Sequence, residues 1–351
     1  MQKGRPTMAD VARAAKVSPS TAARVILGSG YASKENKERV LSAVETLGYR
    51  PNLQARSLRH QRSFTLGLVL SSACENPFFT KLSEAIFTTA RAAGYSVLSI
   101  SHGYSEDQEI EGVRQFLAHR VEALVMCHAF NSANYLPLVE NDTPIIQIER
   151  EVVPNTHLVR IDPRPGLEEA ISALVAKGHR RIAFLGGRDV ANDRLGATTA
   201  AERLRAETFR ALVIELGLNA NDCPMILGDY KKPAGSDRLS GYTLVEHLFD
   251  SNAVPRVTAI VAGSDLLAAG VLQTLYDRGI RVPADFSIVG YDDSLAGFLS
   301  PPMTSIGQPY EPIATAVLDI VTSVQTGGGL MQREVNTKLI ERRSIASAPE
   351  E

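Results

Sequence analysis

Ser20 and Arg24 are the first residues in the chain whose types and spacing offer a specific chemistry. They stand four apart in PSTAARVIL, so on a helix they share one face. An arginine fork on that face matches the O6 and N7 acceptors of guanine, and the opening residues of such a helix, Pro19, Ser20 and Thr21, come closest to base edges when it lies in a major groove. The elements needed to hold them surround them. Thr7 with Asp10 is an acidic form of the capping box, and Ser18 before Pro19 makes a second helix start with proline at its first position. Val11, Ala12, Ala15, Val17, Ala22 and Val25 are apolar or small at the spacing that packs two helices across a short turn. The pattern is that of a helix-turn-helix, which any small amphipathic helical hairpin also shows.

A second set of residues stands where short β-rich runs end. Glu149 and Arg150 close PIIQIER, Arg205 opens a helix, Tyr230 follows ILGD, Ser264 and Asp265 follow AIVAG, and Asp292 follows SIVGY. Taken singly, each reads as a cap or a surface ion pair. Taken together, they converge on strand ends, where ligands bind in open α/β sheets. Arginine and carboxylate groups that read hydroxyls suit a sugar or related polyol. Phe78 and Phe79, in ENPFF, read either as two core rings or as one core ring and one that stacks on a sugar or base.

The elements behind these sites follow from the hydrophobic pattern. Ser33 caps a third helix with apolar Val40, Leu41, Val44 and Leu47, which Gly48 ends. Residues 49–63 are basic, and 52–59 have length for about two helical turns, too short for a stable isolated helix. Pattern alone makes that segment a solvated linker. From Phe64 onward, short β runs alternate with helical patterns: TLGLVL, 79–93, SVLSIS, 108–119, EALVMC, PIIQIE, then from about Val159 RIAFLG, 204–216, PMILGD, 242–249, TAIVAG, 266–278 and FSIVGYD. This is βαβ organisation in two similar lobes with parallel sheets.

Charge separates the ends of the chain. Its 351 residues carry a formal charge of -2, but residues 1–62 hold twelve Lys/Arg against four Asp/Glu, net +8, and the remainder is -10. Only the basic end suits a polyanion. Cys74, Cys127 and Cys223 are scattered, without CxxC or histidine at ligand spacing, so neither a disulfide framework nor a zinc site is expected, and they read as buried thiols. MQKGRPTMAD has no apolar core of a signal peptide, and no run approaches the roughly 18 apolar residues of a membrane span. The expectation is a cytoplasmic protein with no metal, cofactor or membrane partner.

DVARAAKVSPSTAARVI, LGYRPNLQARSLR, GLVL, NPFF, KGHRRIAFLGG, SDLLAAG, RVPADFSIVGYDD, PPMTSIGQP and LIERRS, in this order and spacing, resemble the LacI/GalR transcriptional regulators over nearly the whole chain. The resemblance implies an all-α helix-turn-helix head (1–49), a hinge helix (50–63) and a two-lobed α/β effector and dimerisation domain (64–351) like that of periplasmic binding proteins. It places three lobe crossings near 160–162, 292–294 and 324–328, giving lobe 1 as 64–161 with 293–323 and lobe 2 as 162–292 with 324–351. It implies a hinge that folds on double-stranded operator DNA and inserts Leu58, beside Arg59, into the minor groove, which costs on the order of a few kcal/mol of unstacking. Phe78, Phe79, Glu149, Arg150, Arg205, Tyr230, Ser264, Asp265 and Asp292 match positions associated with a sugar-like effector, and the assembly implied is a homodimer or a tetramer. The chain departs from the family pattern at Lys16, where a turn glycine is usual and a left-handed residue is required at about 1 kcal/mol. It also departs at Ala22-Ala23, at Pro163 and at Ser264.

Two rivals from other classes remain at this level. A two-lobed α/β enzyme is disfavoured because GxGxxG after a strand, GxxxxGK[ST] and GxSxG are absent and no nucleophile–base arrangement is recognisable. His179 in KGHRR reads as a helix C-terminal partner. A solute-binding protein without a transcriptional role shares the lobes but not the basic head.

Overall fold

Thr7 opens the head as its neighbours predict. Its hydroxyl accepts from the Asp10 amide at 3.3 Å, while the Asp10 carboxylate accepts from the Thr7 amide at 2.9 Å, so two orphan donors of α1 (Met8–Ala14) are satisfied reciprocally. The Ser18 hydroxyl accepts from the Thr21 amide at 3.2 Å and starts α2 (Pro19–Leu27). Ser33 caps α3 (Lys34–Leu47), which Gly48 ends in the left-handed region. Val11, Ala12, Ala15, Ala22, Val40, Ala43 and Tyr49 form the buried centre of this three-helix unit. Leu41 is 50% exposed, a correction to its reading as a core position: the buried stripe of α3 runs through Val40 and Ala43 instead. Lys16 sits in the turn at φ 52, the left-handed backbone expected of a position where glycine would be at ease.

This is a computed structural model, and it describes residues 6–27, 30–50, 62–71, 76–103, 105–127, 136–138, 143–148, 153–188, 200–229, 240–250 and 257–350. It contains two compact units, Met1–Ser63 and Phe64–Glu351. In chain order the second unit comprises β1 (Thr65–Leu70), α4 (Pro77–Ala92), β2 (Ser96–Ser101), α5 (Glu106–Ala118), β3 (Ala123–Cys127), β4 (Ile145–Ile148), β5 (His157–Asp162), α6 (Arg164–Ala176), β6 (Ile182–Arg188) and α7 (Ala200–Glu215). It continues with β7 (Met225–Asp229), α8 (Ser240–Asp250), β8 (Ala259–Ala262), α9 (Asp265–Asp277), β9 (Ser287–Asp292), β10 (Thr304–Gly307), α10 (Tyr310–Gln325), β11 (Gln332–Asn336) and β12 (Lys338–Ile340).

The strands form two six-stranded sheets, ordered β11-β5-β4-β3-β1-β2 and β12-β10-β9-β8-β6-β7. All pairings are parallel except β10 with β12. Inner strands such as ALVMC and AIVA are buried at every position because helices cover both faces, whereas the edge strand β11 exposes four of its five residues. The first sheet and helices α4 and α10 share one core, and α6 and α7 pack on one face of the second sheet.

This topology moves two of the three expected crossings. The first comes just after β5, between Asp162 and Arg164, next to the expected 160–162. The second does not fall at 292–294: the chain turns at Asp292, adds β10 beside β9, and leaves for the first lobe only between Gly307 and Tyr310, where α10 joins the first-lobe core. Nor does the third fall at 324–328, since α10 runs through Gln325 and β11 still pairs with β5. The return to the second lobe is at Thr337, whose hydroxyl donates to Asp162 O at 2.9 Å and accepts from the Gly166 amide at 3.2 Å, pinning two crossings together. A four-residue strand and an exposed edge strand are too short and too polar to announce themselves by periodicity.

His179 is wholly buried. Its Nδ1 meets the Thr258 hydroxyl at 2.8 Å and its Nε2 meets Ser287 Oγ and Ala346 O, each at 3.1 Å, tying the end of α6 to the starts of β8 and β9 and to the C-terminal segment. Burial holds this imidazole below its ordinary pKa, so it is a neutral structural tie. Cys127 and Cys223 are buried thiols, and Cys74 lies outside the described residues. Among the described residues no helix is long and apolar enough to cross a membrane.

Candidate functional site

In the head, Pro19, Ser20 and Arg24 are exposed on α2, with Ser20 and Arg24 one turn apart on the same face. The Ser18 hydroxyl lies 2.9 Å from both Ser20 Oγ and Thr21 Oγ1, so the cap that starts the helix also orients the two hydroxyls at its tip. Arg24 is steered from the following turn. Its NH1 donates to Tyr31 O at 3.4 Å, and a Cβ built on Gly30 would stand 3.3 Å from Arg24 Cδ. Gly30 has φ 97, so glycine satisfies both the backbone and the space beside the arginine stem. Tyr31, 85% exposed beside that guanidinium, was not singled out from the sequence, because an isolated tyrosine carries no periodic signal. Leu58 and Arg59 lie outside the described residues.

In the second unit, three segments converge at the carboxyl ends of β8 and β9. Arg205, near the start of α7, is 6% exposed and donates from NH1 to Gly263 O at 3.0 Å. It pairs with Glu202 at 3.6 Å, and its guanidinium carbon lies 4.1 Å from the centre of the Tyr291 ring. The cation is thus held over an aromatic face. The neighbouring Asp292 is 3% exposed and adopts φ 94, a conformation rarely seen outside glycine, and Asp293 follows at φ 50. Gln308 Nε2 donates to Asp292 Oδ1 at 3.0 Å, and the Tyr310 hydroxyl donates to Asp292 O at 2.8 Å. Arg205 thus lies over the ring of the residue that precedes Asp292, and both charged groups are largely desolvated.

Four other expected ligand residues are used by the protein itself. Ser264 caps α9, its hydroxyl accepting from the Leu267 amide at 3.1 Å. Asp265 has no exposed surface; Oδ1 accepts from the Ser305 hydroxyl at 2.7 Å and Oδ2 from the Leu295 and Ala296 amides, each at 3.0 Å. Burial pushes its carboxyl above the usual aspartate range against the pull of these donors, and its role is to brace the loop after β9. Phe78 and Phe79 are each 3% exposed in the first-lobe core, edge to face at 5.1 Å, so the reading of one ring as an effector platform is corrected in favour of packing. The proline-initiated turn of α4 directs both rings inward. Glu149, Arg150 and Tyr230 lie outside the described residues.

Gln308, Tyr310, Lys81, Asp293 and Arg342 join the site without having been expected there. Lys81 donates from Nζ to Asp293 O at 2.5 Å, and Arg342 NH1 pairs with Asp293 Oδ1 at 2.6 Å. The sequence signal available is GQP at the end of β10, whose residue types do not by themselves mark a hinge. A cavity of about 730 Å³, lined by Val282, Pro283, Pro301, Pro302 and Arg343 among others, also touches this network through Arg342.

Comparison with known proteins follows the same division of the chain. Residues 7–52 match the family described as bacterial regulatory proteins, lacI family, and residues 171–345 match the periplasmic binding protein-like domain. The chain is 30% identical to the HTH-type transcriptional regulator AscG of Escherichia coli (strain K12), over 97% of this chain and 98% of that protein. It is 30% identical to the ribose operon repressor of the same strain, over 96% of this chain and 99% of that one. Among solved structures, the transcriptional regulator CelR–cellobiose complex is similar with a TM-score of 0.67 at 28% identity, covering 97% of this chain and 100% of that chain. The lac repressor dimer bound to operator and the anti-inducer ONPF shares the fold, with a TM-score of 0.71 at 24% identity over 97% and 99%.

Proposed function

Because the chain belongs to the LacI/GalR family of bacterial regulatory proteins, we propose that it is an operator-binding transcriptional repressor whose DNA affinity is set by a sugar or sugar derivative held between its two α/β lobes. The observation that carries this reading is the pairing, in one chain, of a capped α2 that exposes Ser20 and Arg24 with a second lobe that holds Arg205 over the Tyr291 ring and buries Asp292 at the end of the same strand. The relatives named as ribose operon repressor and as a cellobiose complex support a sugar as effector.

In this reading Arg24 reads a guanine, Ser20 and Thr21 meet base edges or phosphates behind Pro19, and Leu58 with Arg59 enters the minor groove from a hinge that folds on specific DNA. Arg205 and Asp292 hold effector hydroxyls, joined by Glu149, Arg150 and Tyr230 from neighbouring loops. Two heads are needed for a pseudo-palindromic site, so the working form is a homodimer, with a tetramer as the alternative. The protein works as a regulator rather than an enzyme, in the cytoplasm where its DNA partner is.

The test uses the full chain. In vitro selection from random duplexes should return a pseudo-palindrome, and one of a panel of D-ribose, D-galactose, cellobiose and their phosphates should raise Tm, by roughly 2.7 kcal/mol of stabilisation at a hundredfold excess over Kd. Selection that returns no common sequence refutes the operator function. A panel without any shift, including at millimolar concentration, refutes the sugar effector.

A further inference from the structure

At the turn Asp292–Asp293, side chains of the first lobe hold two consecutive carbonyls of the second. The Tyr310 hydroxyl, from the start of α10, takes Asp292 O, and the Lys81 ammonium, from the first turns of α4, takes Asp293 O. Both residues of the turn have positive φ. Within the second lobe the turn is further held by the Asp293 amide donating to Ser305 Oγ at 3.1 Å and by the Arg342–Asp293 ion pair. Strained backbone of this kind persists where its surroundings determine it from several sides, and it gathers at sites that switch.

The two first-lobe contacts differ in how they depend on lobe geometry. Tyr310 begins its helix three residues beyond the end of β10, so it travels with the crossing segment itself. Lys81 is 212 residues from Asp293 in sequence and belongs to the first-lobe core element α4, so its bond exists only while that helix stands against the turn. It is a charged donor on a flexible stem, 6.0 Å from the Tyr310 ring centre, reaching an acceptor whose neighbour is the buried Asp292.

We infer that Lys81 is a positioning residue for the effector response: its bond to Asp293 O is an interlobe latch that biases the two lobes toward the arrangement seen here, and a ligand engaging Asp292 acts on the same turn that the latch holds. The inference rests on the effector-controlled reading above and deepens it. An element held in two discrete ways, with one bond belonging to only one of them, converts ligand contact into a change of lobe arrangement. Differential affinity for the two arrangements is all that coupling requires.

The experiment compares full-length Lys81→Met, which keeps the aliphatic stem, with Lys81→Arg, which keeps the charged donor. Amide exchange of the segment 293–299, measured without DNA or ligand, should quicken at least fivefold in Lys81→Met and return to within twofold of wild type in Lys81→Arg. Operator affinity, measured by anisotropy on the duplex selected by the wild-type protein, should shift at least threefold in Lys81→Met alone, although the head is unaltered. Exchange unchanged in Lys81→Met overturns the latch. Faster exchange with operator affinity unchanged shows a contact without regulatory consequence and overturns the inference equally. Should wild-type protein select no duplex, the operator reading fails by itself, and the exchange arm still decides whether the latch exists.

Discussion

Replacing Asp292 separates its two roles, provided the substitution respects its backbone. Alanine removes the acceptor of Gln308 Nε2 at a site only 3% exposed, and loss of a buried partner costs about 1 to 3 kcal/mol. It also leaves a residue at φ 94 with no polar side chain to offset the conformation, on the order of 1 kcal/mol more. Asp292→Ala should therefore destabilise the second unit by about 2 to 4 kcal/mol and lower Tm by roughly 4 to 10 °C. Asp292→Asn keeps Oδ1 for Gln308, and asparagine tolerates left-handed backbone, so Tm should move by no more than about 2 °C. What asparagine loses is charge. A charge-assisted hydrogen bond to an effector hydroxyl becomes a neutral one, a difference of about 1 to 2 kcal/mol, or roughly five- to thirtyfold in effector affinity. Differential scanning fluorimetry of the full chain, first without ligand and then titrated with the sugar that shifts wild type, measures both effects. If Asp292→Asn falls as far as Asp292→Ala, or if Asp292→Ala melts with wild type, the strained and bridged geometry assigned to this residue is wrong. Operator affinity without ligand should be kept in the asparagine variant, because the head is untouched.

Lys16→Gly should stabilise the head, since φ 52 carries a penalty of about 1 kcal/mol that glycine lacks, partly offset by its larger unfolded-state entropy; equal or lower stability in chemical denaturation would show that the turn is unstrained. Arg24→Ala should relax preference at one base pair per half-site and cost roughly 1 to 3 kcal/mol there, and uniform weakening on all duplexes would make Arg24 a phosphate contact instead. Burial holds His179 and His157 below the ordinary histidine pKa. The unfolded chain therefore binds these protons first, so the stability that the neutral rings contribute is present above about pH 6.5 and is lost as pH falls from there through the folded values. Tm should decline between pH 7.5 and 5.5, and His179→Gln should flatten that decline; Asp265, raised in the fold, acts in the opposite sense and is unchanged in the comparison.

The local chemistry of the head was legible because each of its determinants acts within one or two turns. Thr7 with Asp10, Ser18 with Thr21, Ser33 with Asn36 and the ending at Gly48 are bonds between residues three or four apart, and the small residues that pack α1 on α2 recur at helical spacing. The alternating lobes were legible for the same reason, since strands such as β3 and β8 are continuous apolar runs, as two covered faces demand. What the tertiary structure decided is where side chains spend their hydrogen bonds. Ser264, Asp265, Asp292 and Arg205 all stand at strand ends or helix starts, and nothing in their spacing says that Asp265 turns inward to Ser305 and the 295–296 amides while the Asp292 carboxylate takes Gln308 and Arg205 lies over the Tyr291 ring. The late crossings were likewise decided at long range: β10 joins β9, and β11 joins β5 across more than half the effector unit, through backbone bonds that carry no side-chain signature. Lys81 and Asp293 are the extreme case, because two residues 212 apart meet only once both lobes are folded and set against each other.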